Sequence, residues 1–473
     1  MTHPLSTTED ATDLEELALS SWVGTFLVRA LETEELSAGA SRHGLDRVAE
    51  VTIGRGRRSH LRRGEGGQRT LSLMVPDMRV SGQHARLRRA GTVWLFEDAG
   101  SRNGSKIDGA PVTRAELHDG ALIEVGSTLF LFRVSRAPLG LAEDLVVPCD
   151  PSSGLETLNP EFEQALHKLE RVAASQLSFL LLGETGTGKE VVAQRVHARS
   201  GRAGAFVPVN CGALPEALVE ALLFGHTRGA FTGAHKDEAG LVRSADGGTL
   251  FLDEVADLTL GAQAALLRVL QTGDVTPVGG TASVRTDLRV IAATHKDLDA
   301  MMQAGLFRRD LYARLAGYVQ TLPPLRERKE DLGLLISRLL ARHTRGAPVQ
   351  LRVEAARALF GYPFPLNVRE LEQCLSSALV LADRTPIARQ HLPERIRGTT
   401  QPDRHSAPPA ATGSSLPPRS DEDRALYDAL VTALRNSEGN VSETARRMGK
   451  ARQQIQKWLR RFGVDPGQFK VTR

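Results

Sequence analysis

The sequence predicts a multidomain chain: an all-β sandwich, then a parallel α/β domain, then a small all-α unit. Three observations predict this. At 473 residues the chain is too long for one core, two proline- and glycine-rich stretches divide it, and its apolar pattern changes from strand alternation to alternating strands and helices. A composition 41% hydrophobic and 25% charged excludes a largely disordered or collagen-like chain. No apolar run reaches the ~20 residues of a membrane helix. The best, Leu177 to Leu182, is interrupted by Ser178 and closed by Gly183. Residues 1–21, acidic at Glu9, Asp10, Asp13, Glu15 and Glu16, read as a loose tail without a secretory signal, so the expected location is cytoplasmic. Cys149, Cys211 and Cys374 are too scattered for a disulfide framework or a zinc site. The net charge of +4 selects no partner, so the local distribution of charge carries the information.

Over 22–136, short strands such as Thr92 to Phe96 and Thr128 to Phe132 are separated by glycine-rich turns, which predicts the sandwich. Among them lie Ile53-Gly54-Arg55, Ser81-Gly82-Gln83-His84 and Ser101-Arg102-Asn103-Gly104. Arg55 and Ser81 suit phosphate oxygens, and Asn103 suits a peptide backbone. The basic run Arg57, Arg58, Arg62, Arg63 and Arg69 reads as a solvated loop, with a preference for acidic phosphopeptides as the alternative. Residues 137–154, broken by Pro138, Pro148, Pro151 and Gly154, read as a linker.

In the next block, Phe179 to Leu182, Thr249 to Leu252 and Leu288 to Ala293 are buried strands followed by polar loops and amphipathic stretches, as in a parallel sheet. After the first comes Gly183-Glu184-Thr185-Gly186-Thr187-Gly188-Lys189-Glu190, then a helical pattern. Strand, glycine loop and helix form the setting of a P-loop, whose N–H groups and lysine hold ATP phosphates. Glu190 stands where the generic motif has Ser or Thr. The second strand ends in Asp253-Glu254, where Asp253 suits the magnesium complex and Glu254 the polarisation of a water. The third ends in Thr294-His295, either of which suits sensing of the γ-phosphate. Arg308 and Arg314 suit either a developing phosphoryl charge or surface ion pairs.

Residues 398–420, with Pro402, Pro408, Pro409, Pro417 and Pro418, read as a disordered linker. In 421–473, Val441 to Met448 and Arg452 to Phe462 are amphipathic segments about Gly449, a helix-turn-helix spacing. Within 441–473, nine basic residues stand against Glu443 and Asp465. Arg452, Gln453, Gln456, Lys457 and Arg460 are the candidate DNA contacts.

From about 155 to 395 the chain resembles the AAA+ domain of the NtrC-type activators of sigma-54 RNA polymerase. The most specific signal is Gly229-Ala230-Phe231-Thr232-Gly233-Ala234, between the P-loop and Asp253-Glu254. The resemblance implies an ATPase using ATP and Mg2+, with an α/β subdomain at 155–325 and a helical lid at 326–397. It implies that Phe231 and Thr232 contact sigma-54, that Asn210 is the switch partner of Glu254, and that Arg308 and Arg314 act across subunits of a hexameric ring. It further implies that Arg369 reaches the nucleotide. Two departures stand out: Leu222 where the family has an acid, and Leu366 at the turn glycine of the segment ending Arg369-Glu370-Leu371, where φ > 0 is costly for leucine.

The first domain resembles the forkhead-associated (FHA) phosphothreonine readers, which implies binding by Arg55, Ser81, Arg102 and Asn103 with His84 as a buttress. Gly82 and Arg102 depart from residues common in that family. The tail resembles the Fis-type domain that ends such activators, and implies dimers on upstream enhancer DNA. Together these imply a sigma-54-dependent activator governed by a phosphothreonine protein or serine/threonine kinase, with no membrane partner. The alternative is a phosphopeptide-targeted AAA+ remodeller or chaperone that does not act on sigma-54.

Overall fold

A computed structural model describes residues 21–64, 69–150, 155–398, 429–430, 432–434, 436–437, 441–450 and 455. The candidate DNA contacts Arg452, Gln453, Gln456, Lys457 and Arg460 lie outside them, as do most of the tail and linker segments read from the sequence. The described residues up to 398 belong to one compact unit and those from 429 onward to another. In the second, Val441–Arg447 is an α-helix, and the Ser437 and Thr444 hydroxyls are 2.7 Å apart.

Among the described residues, the first unit contains a sandwich of thirteen strands in two sheets. These are β1 Ser21–Glu32, β2 Ala40–Gly44, β3 Val48–Arg55, β4 Ser59–Arg63, β5 Arg69–Val75, β6 Ala85–Ala90, β7 Val93–Asp98, β8 Ser105–Ile107, β9 Ala110–Val112, β10 Arg114–Leu117, β11 Leu122–Val125, β12 Thr128–Pro138 and β13 Asp144–Val147. One sheet runs β13-β2-β1-β12-β11-β8-β9, the other β10-β7-β6-β3-β5-β4. Inward residues of both sheets, among them Leu27, Ile53, Leu71, Phe96, Ile123 and Phe130, make the sandwich core.

Two sequence readings need correction here. The segment 137–154 contains β13, which pairs antiparallel with β2, so it is partly sheet and not wholly linker. Asp144 anchors it by accepting from His43 Nδ1 (2.6 Å) and from Arg62 Nε and Nη2 (2.6 and 2.8 Å). These partners lie far back in the sequence, beyond the reach of a local reading. The basic run is likewise not a solvated loop: Arg62 and Arg63 lie in β4, and Arg58 donates to both Glu32 and Glu35.

A five-stranded parallel sheet follows, ordered β15-β16-β19-β14-β20: β14 Phe179–Leu182, β15 Phe206–Asn210, β16 Thr249–Asp253, β19 Arg289–Thr294 and β20 Tyr318–Thr321. A small hairpin, β17 Asp274–Val275 with β18 Val284–Arg285, stands apart from it. The helices before and around this sheet are α1 Pro160–Ala173, α2 Lys189–Arg199, α3 Val219–Phe224, α4 Leu241–Ser244, α5 Leu260–Thr272, α6 Leu298–Gln303 and α7 Arg309–Leu315. Its central strands β14, β16 and β19 are buried on both faces, as parallel strands covered by helices must be. The lid is helical: α8 Leu332–His343, α9 Val353–Gly361, α10 Asn367–Ala382 and α11 Glu394–Arg397.

The lid also shares a core with the sandwich. Val28, Ala30, Leu31, Leu129 and Leu131, on the outer face of β1 and β12, pack in one cluster with Leu332, Ile336, Leu339, Leu359 and Leu375. A Cβ on Gly333 of α8 would lie 2.0 Å from the Ala30 carbonyl oxygen, so glycine sets how closely helix and strand meet. Leu351 N–H donates to Thr33 O (2.9 Å), and Arg357 makes a two-pronged pair with Glu124. Beside this, Asp331 accepts from Leu158 N and Thr157 Oγ1, and Glu330 accepts from Asn159 Nδ2. Burial pushes both carboxyls above their usual range. Among the described residues no helix is long and apolar enough to cross a membrane.

Candidate functional site

The cleft is built at the C-terminal ends of the parallel strands, where open α/β sheets bind ligands. Gly183, Gly186 and Gly188 all have positive φ (146°, 78° and 103°), so the loop from β14 to α2 follows a path open to few other residues. That path leads into the N-terminus of α2, whose unpaired N–H groups attract anions. Lys189 curls back and donates from Nζ to Gly183 O (2.9 Å) and Glu184 O (3.3 Å). Burial lowers its pKa, opposed by the Glu254 and Asp253 carboxylates. A buried ammonium held by neutral carbonyls is well suited to an incoming phosphate.

Asp253 ends β16, in register with Asn210 at the end of β15. Burial first, and the neighbouring Glu254 second, push its carboxyl above the ordinary range. A hard divalent cation would relieve both effects. Magnesium is commonly held by one or two carboxylates together with substrate phosphates, so Asp253 fits the role without a protein cage. Among the described residues no group of three or more His, Cys, Asp or Glu forms such a cage.

Glu254 has a left-handed backbone (φ 53°, ψ 49°). Its Oε2 accepts from Thr294 Oγ1 (3.2 Å) and His295 N (3.3 Å), and lies 2.8 Å from His295 Nδ1. Its Oε1 is 3.9 Å from Lys189 Nζ. Among the described residues, the hydrogen bonds to this carboxylate come from the β19 side; the Asn210 expected to hold it is exposed and makes none to it.

Three side chains that sequence reasoning missed clamp the P-loop from the lid side. Arg326 pairs with Glu184 through two hydrogen bonds (2.8 and 2.6 Å). Arg328, its guanidinium over the Phe162 ring, donates to Thr187 O (2.8 Å). Buried Asn367 accepts from Leu325 N (2.7 Å) and donates to Glu184 Oε2 and Thr185 O (3.0 and 3.1 Å). Arg326, then Asn367, hold the Glu184 carboxyl down to about 2. The predicted strain at Leu366 is absent: its φ is −100°, and the positive φ values fall on Phe364 (48°) and Asn367 (55°). Asparagine tolerates that region better than leucine, so the missing glycine is accommodated one residue later. Arg369 lies one residue beyond Val368, whose N–H donates to Gly186 O (3.0 Å).

Arg308 is exposed and paired with Asp310 (3.0 and 2.6 Å), while Arg314 is exposed on α7. The hexapeptide loop closes on itself: Gly229 N donates to Ala234 O and Ala234 N to Phe231 O. The Phe231 ring rests 5.0 Å from that of His226, with Thr232 exposed.

In the sandwich, Arg55, Arg102 and Asn103 are exposed at one end. Arg55 N donates to Ser81 O, Arg102 N to Ser81 Oγ, and Asn103 Nδ2 to Arg79 O. Buried His84 joins two of these loops through Ser81 N (3.0 Å) and Gly104 O (3.3 Å), a buttressing position.

Residues 155–320 match the family model of the sigma-54 interaction domain, 326–409 that of the AAA+ ATPase lid domain, and 51–126 that of the FHA domain. The chain is 41% identical over 303 residues to the hydrogenase transcriptional regulatory protein HoxA of Cupriavidus necator, covering 62% of each chain. It is 38% identical over 368 residues to the response regulator protein PilR of Pseudomonas aeruginosa, covering 73% of this chain and 80% of that one. A crystal structure of NtrX from Brucella abortus in complex with ADP is 31% identical, covering 66% of this chain and 70% of that one, with a TM-score of 0.49. The match thus spans less than two thirds of the hydrogenase regulator's length, though most of PilR's.

Proposed function

The chain belongs to the family of sigma-54-dependent activators, with an AAA+ ATPase domain and an FHA domain, and from that premise we propose that it hydrolyses ATP to remodel sigma-54 RNA polymerase from closed to open complex. The observation that carries this reading is the convergence of Lys189, Asp253 and Glu254 at one end of a parallel sheet, in the same domain as an intact Gly229-to-Ala234 loop. The P-loop from Gly183 to Glu190 binds the phosphates of ATP through its N–H groups and Lys189. Asp253 holds magnesium, which supplies charge neutralisation on the phosphates when bound. Glu254 polarises the attacking water, and His295 and Arg369 contact the nucleotide. Arg308 leaves Asp310 and, with Arg314, reaches the nucleotide of a neighbouring subunit in a hexameric ring.

Phe231 and Thr232 are the sigma-54 contacts in this reading. The tilted contact of the Phe231 ring with that of His226 supports a stowed loop that hydrolysis releases. Arg55, Ser81, Arg102 and Asn103 receive a phosphothreonine segment, and the C-terminal basic segment with Arg452, Gln453, Gln456, Lys457 and Arg460 holds upstream DNA as a dimer. The test is open-complex formation on a sigma-54 promoter by full-length Phe231→Ala and Thr232→Ala. Both variants are expected to keep ATP turnover and lose promoter opening. Opening by either variant at the wild-type level, with turnover intact, would point instead to a remodeller that does not act on sigma-54.

A further inference from the structure

The segment that leads into the lid helix α8 faces two ways. Leu325–Glu327 and Lys329–Asp331 are single 3₁₀ turns joined at Arg328. On one side Arg326 and Arg328 reach the P-loop, at the Glu184 carboxylate and at Thr187 O (2.8 Å). On the other, Glu330 and Asp331 are buried at 1% and 2% exposure beside the start of α1 and the sandwich. Arg133 of β12 lies there, its Nε 3.4 Å from Glu330 Oε2. We propose that Arg133 is a positioning residue for nucleotide binding, which through its ion pair with Glu330 holds this segment so that Arg328 stays on the P-loop. The inference rests on the reading of the P-loop as the nucleotide site.

Charge requires a cation at this place. Glu330 Oε1 accepts from Asn159 Nδ2 (2.7 Å), and the two Asp331 oxygens accept from Leu158 N (2.6 Å) and Thr157 Oγ1 (2.7 Å). Glu330 Oε2 is buried without a hydrogen bond, and among the described residues its ion pair is with Arg133. Burial raises the Glu330 carboxyl, and the charge of Arg133 is the largest influence opposing that rise. A buried carboxylate stripped of its cation either takes up a proton or moves toward water, and both loosen what it held. Asp119, the other acid beside Arg133 (3.5 Å), is half-exposed and loses little by the same change.

Packing carries the effect from Glu330 to the nucleotide loop. The buried Arg328 guanidinium lies 5.0 Å from the Phe162 ring and 4.0 Å from Asp331. Phe162 N donates to Asn159 Oδ1 (2.8 Å), in the same side chain whose Nδ2 holds Glu330. A shift of Glu330 therefore disturbs the groups on which Arg328 rests. In a planar trans peptide the direction of Thr187 O fixes the opposite direction of Gly188 N–H, one of the loop donors assigned to phosphate. A second sandwich arginine, the buried Arg42, donates to Leu158 O (3.1 Å), so the sandwich also grips the residue that holds Asp331.

The experiment is titration of the full-length protein with a fluorescent ATP analogue, beside steady-state turnover and thermal melting. The variants are Arg133→Met, Arg133→Gln, Arg133→Lys, Arg328→Met, Arg133→Met/Glu330→Gln and Arg133→Met/Arg328→Met. Loss of one hydrogen bond from a charged donor predicts a rise in Kd of about tenfold for Arg133→Met, with kcat at saturating ATP within about twofold of wild type. Arg133→Gln keeps a neutral donor; it is expected to weaken Kd about threefold, and it carries the comparison should the methionine variant not fold. Arg133→Lys keeps the charge, its nitrogen one bond beyond the Nε position, and is expected to bind within about twofold of wild type. Arg133→Met/Glu330→Gln leaves no unpaired buried charge and is expected to return to within about threefold of wild type. Arg133→Met/Arg328→Met is expected to bind no more weakly than Arg328→Met alone.

Wild-type Kd in Arg133→Met or Arg133→Gln, even with a lowered melting temperature, overturns the proposal, because Arg133 then supports the fold alone. So does a Glu330→Gln double variant that binds no better than Arg133→Met, or losses that add in Arg133→Met/Arg328→Met, since either makes Arg133 act by another route. Failure of the wild type itself to bind nucleotide is a different failure, since it removes the reading of the P-loop on which the inference stands.

Discussion

The lid meets two neighbours, and it meets them by opposite means. Toward the P-loop its side of the cleft offers Arg326, Arg328 and Asn367, polar groups at 2.6 to 3.1 Å from Glu184, Thr185 and Thr187. Toward the sandwich it offers leucines, which form one core with β1 and β12, closed by Gly333 against the Ala30 carbonyl. Polar contacts can be exchanged for contacts to a ligand or water at small net cost, whereas parting an apolar core exposes all of it to water. The lid is therefore built to change its relation to the nucleotide loop while keeping its relation to the sandwich. In the proposed function, a phosphopeptide bound at Arg55 would engage a body that already includes the lid.

The largest expected effect lies in the cleft. Glu254→Gln should lower ATP turnover on the order of 10²-fold or more while nucleotide binding persists, as removal of a general base does. Titration with a fluorescent nucleotide beside a turnover assay separates the two quantities. Loss of binding in step with turnover would mean that Glu254 shapes the P-loop through Lys189, and the cleft would then be as tightly tied as the lid junction.

Next in size is the junction itself. Leu31→Ala and Leu129→Ala should each destabilise by about 2–5 kcal/mol, the usual cost of a truncated core leucine. Both residues are buried between the sandwich and lid, so the loss should appear in a single cooperative transition involving both. Gly333→Val, with its Cβ driven toward the Ala30 oxygen, should be worse than either. Calorimetry of the full chain reads this directly. Two separate transitions, of which only one moves, would break the comparison by making the shared core a mere contact.

The two regions also differ in how far the sequence revealed them. The P-loop and Asp253-Glu254 were legible because each is a local pattern at a strand end. The partners of Glu184 were not: Arg326 and Asn367 are 142 and 183 residues away, and no local period links them. Asn210 was expected at Glu254, yet the side chain leans to His295, a choice that depends on torsions and not on motif spacing. The junction did leave a trace. Leu129-Phe130-Leu131-Phe132 does not alternate with polar residues, and a strand apolar on both faces must be covered on both. A sandwich with one solvated face would have shown polar residues at 129 and 131. The strand β13 was hidden by its flanking prolines and glycines, and by an anchor, Asp144, whose partners come from β2 and β4.

A smaller effect is expected at the reading end. Arg55→Ala should weaken a phosphothreonine peptide by about tenfold or more, the scale of one charge-assisted hydrogen bond, without shifting thermal stability, because the side chain is exposed. The full chain is the proper sample, since a fragment cut after the sandwich would expose Val28, Ala30, Leu129 and Leu131. Equal binding of phosphorylated and unphosphorylated peptides would leave the sandwich as a structural extension of the lid.

The smallest expected effect tests the exchangeable side of the comparison. Glu184 titrates near 2 because Arg326 and Asn367 favour its ionised form, below the ~4.3 of a free glutamate in the unfolded chain. A depressed folded pKa means that the pair's contribution is fully present above the unfolded value and is lost as pH falls from about 4.3 toward 2. Both partners are more than a third exposed, so solvent screening holds that contribution below about 1 kcal/mol. Glu184→Gln should accordingly leave stability at pH 7 nearly unchanged and flatten its decline across that acid window by a matching small amount. Denaturant titrations of wild type and variant at pH 7 and at the lowest pH where both remain folded measure the difference. A loss of several kcal/mol at pH 7 would show the lid fastened to the P-loop as firmly as to the sandwich, and nucleotide binding would then have to break a structural bond instead of trading polar contacts.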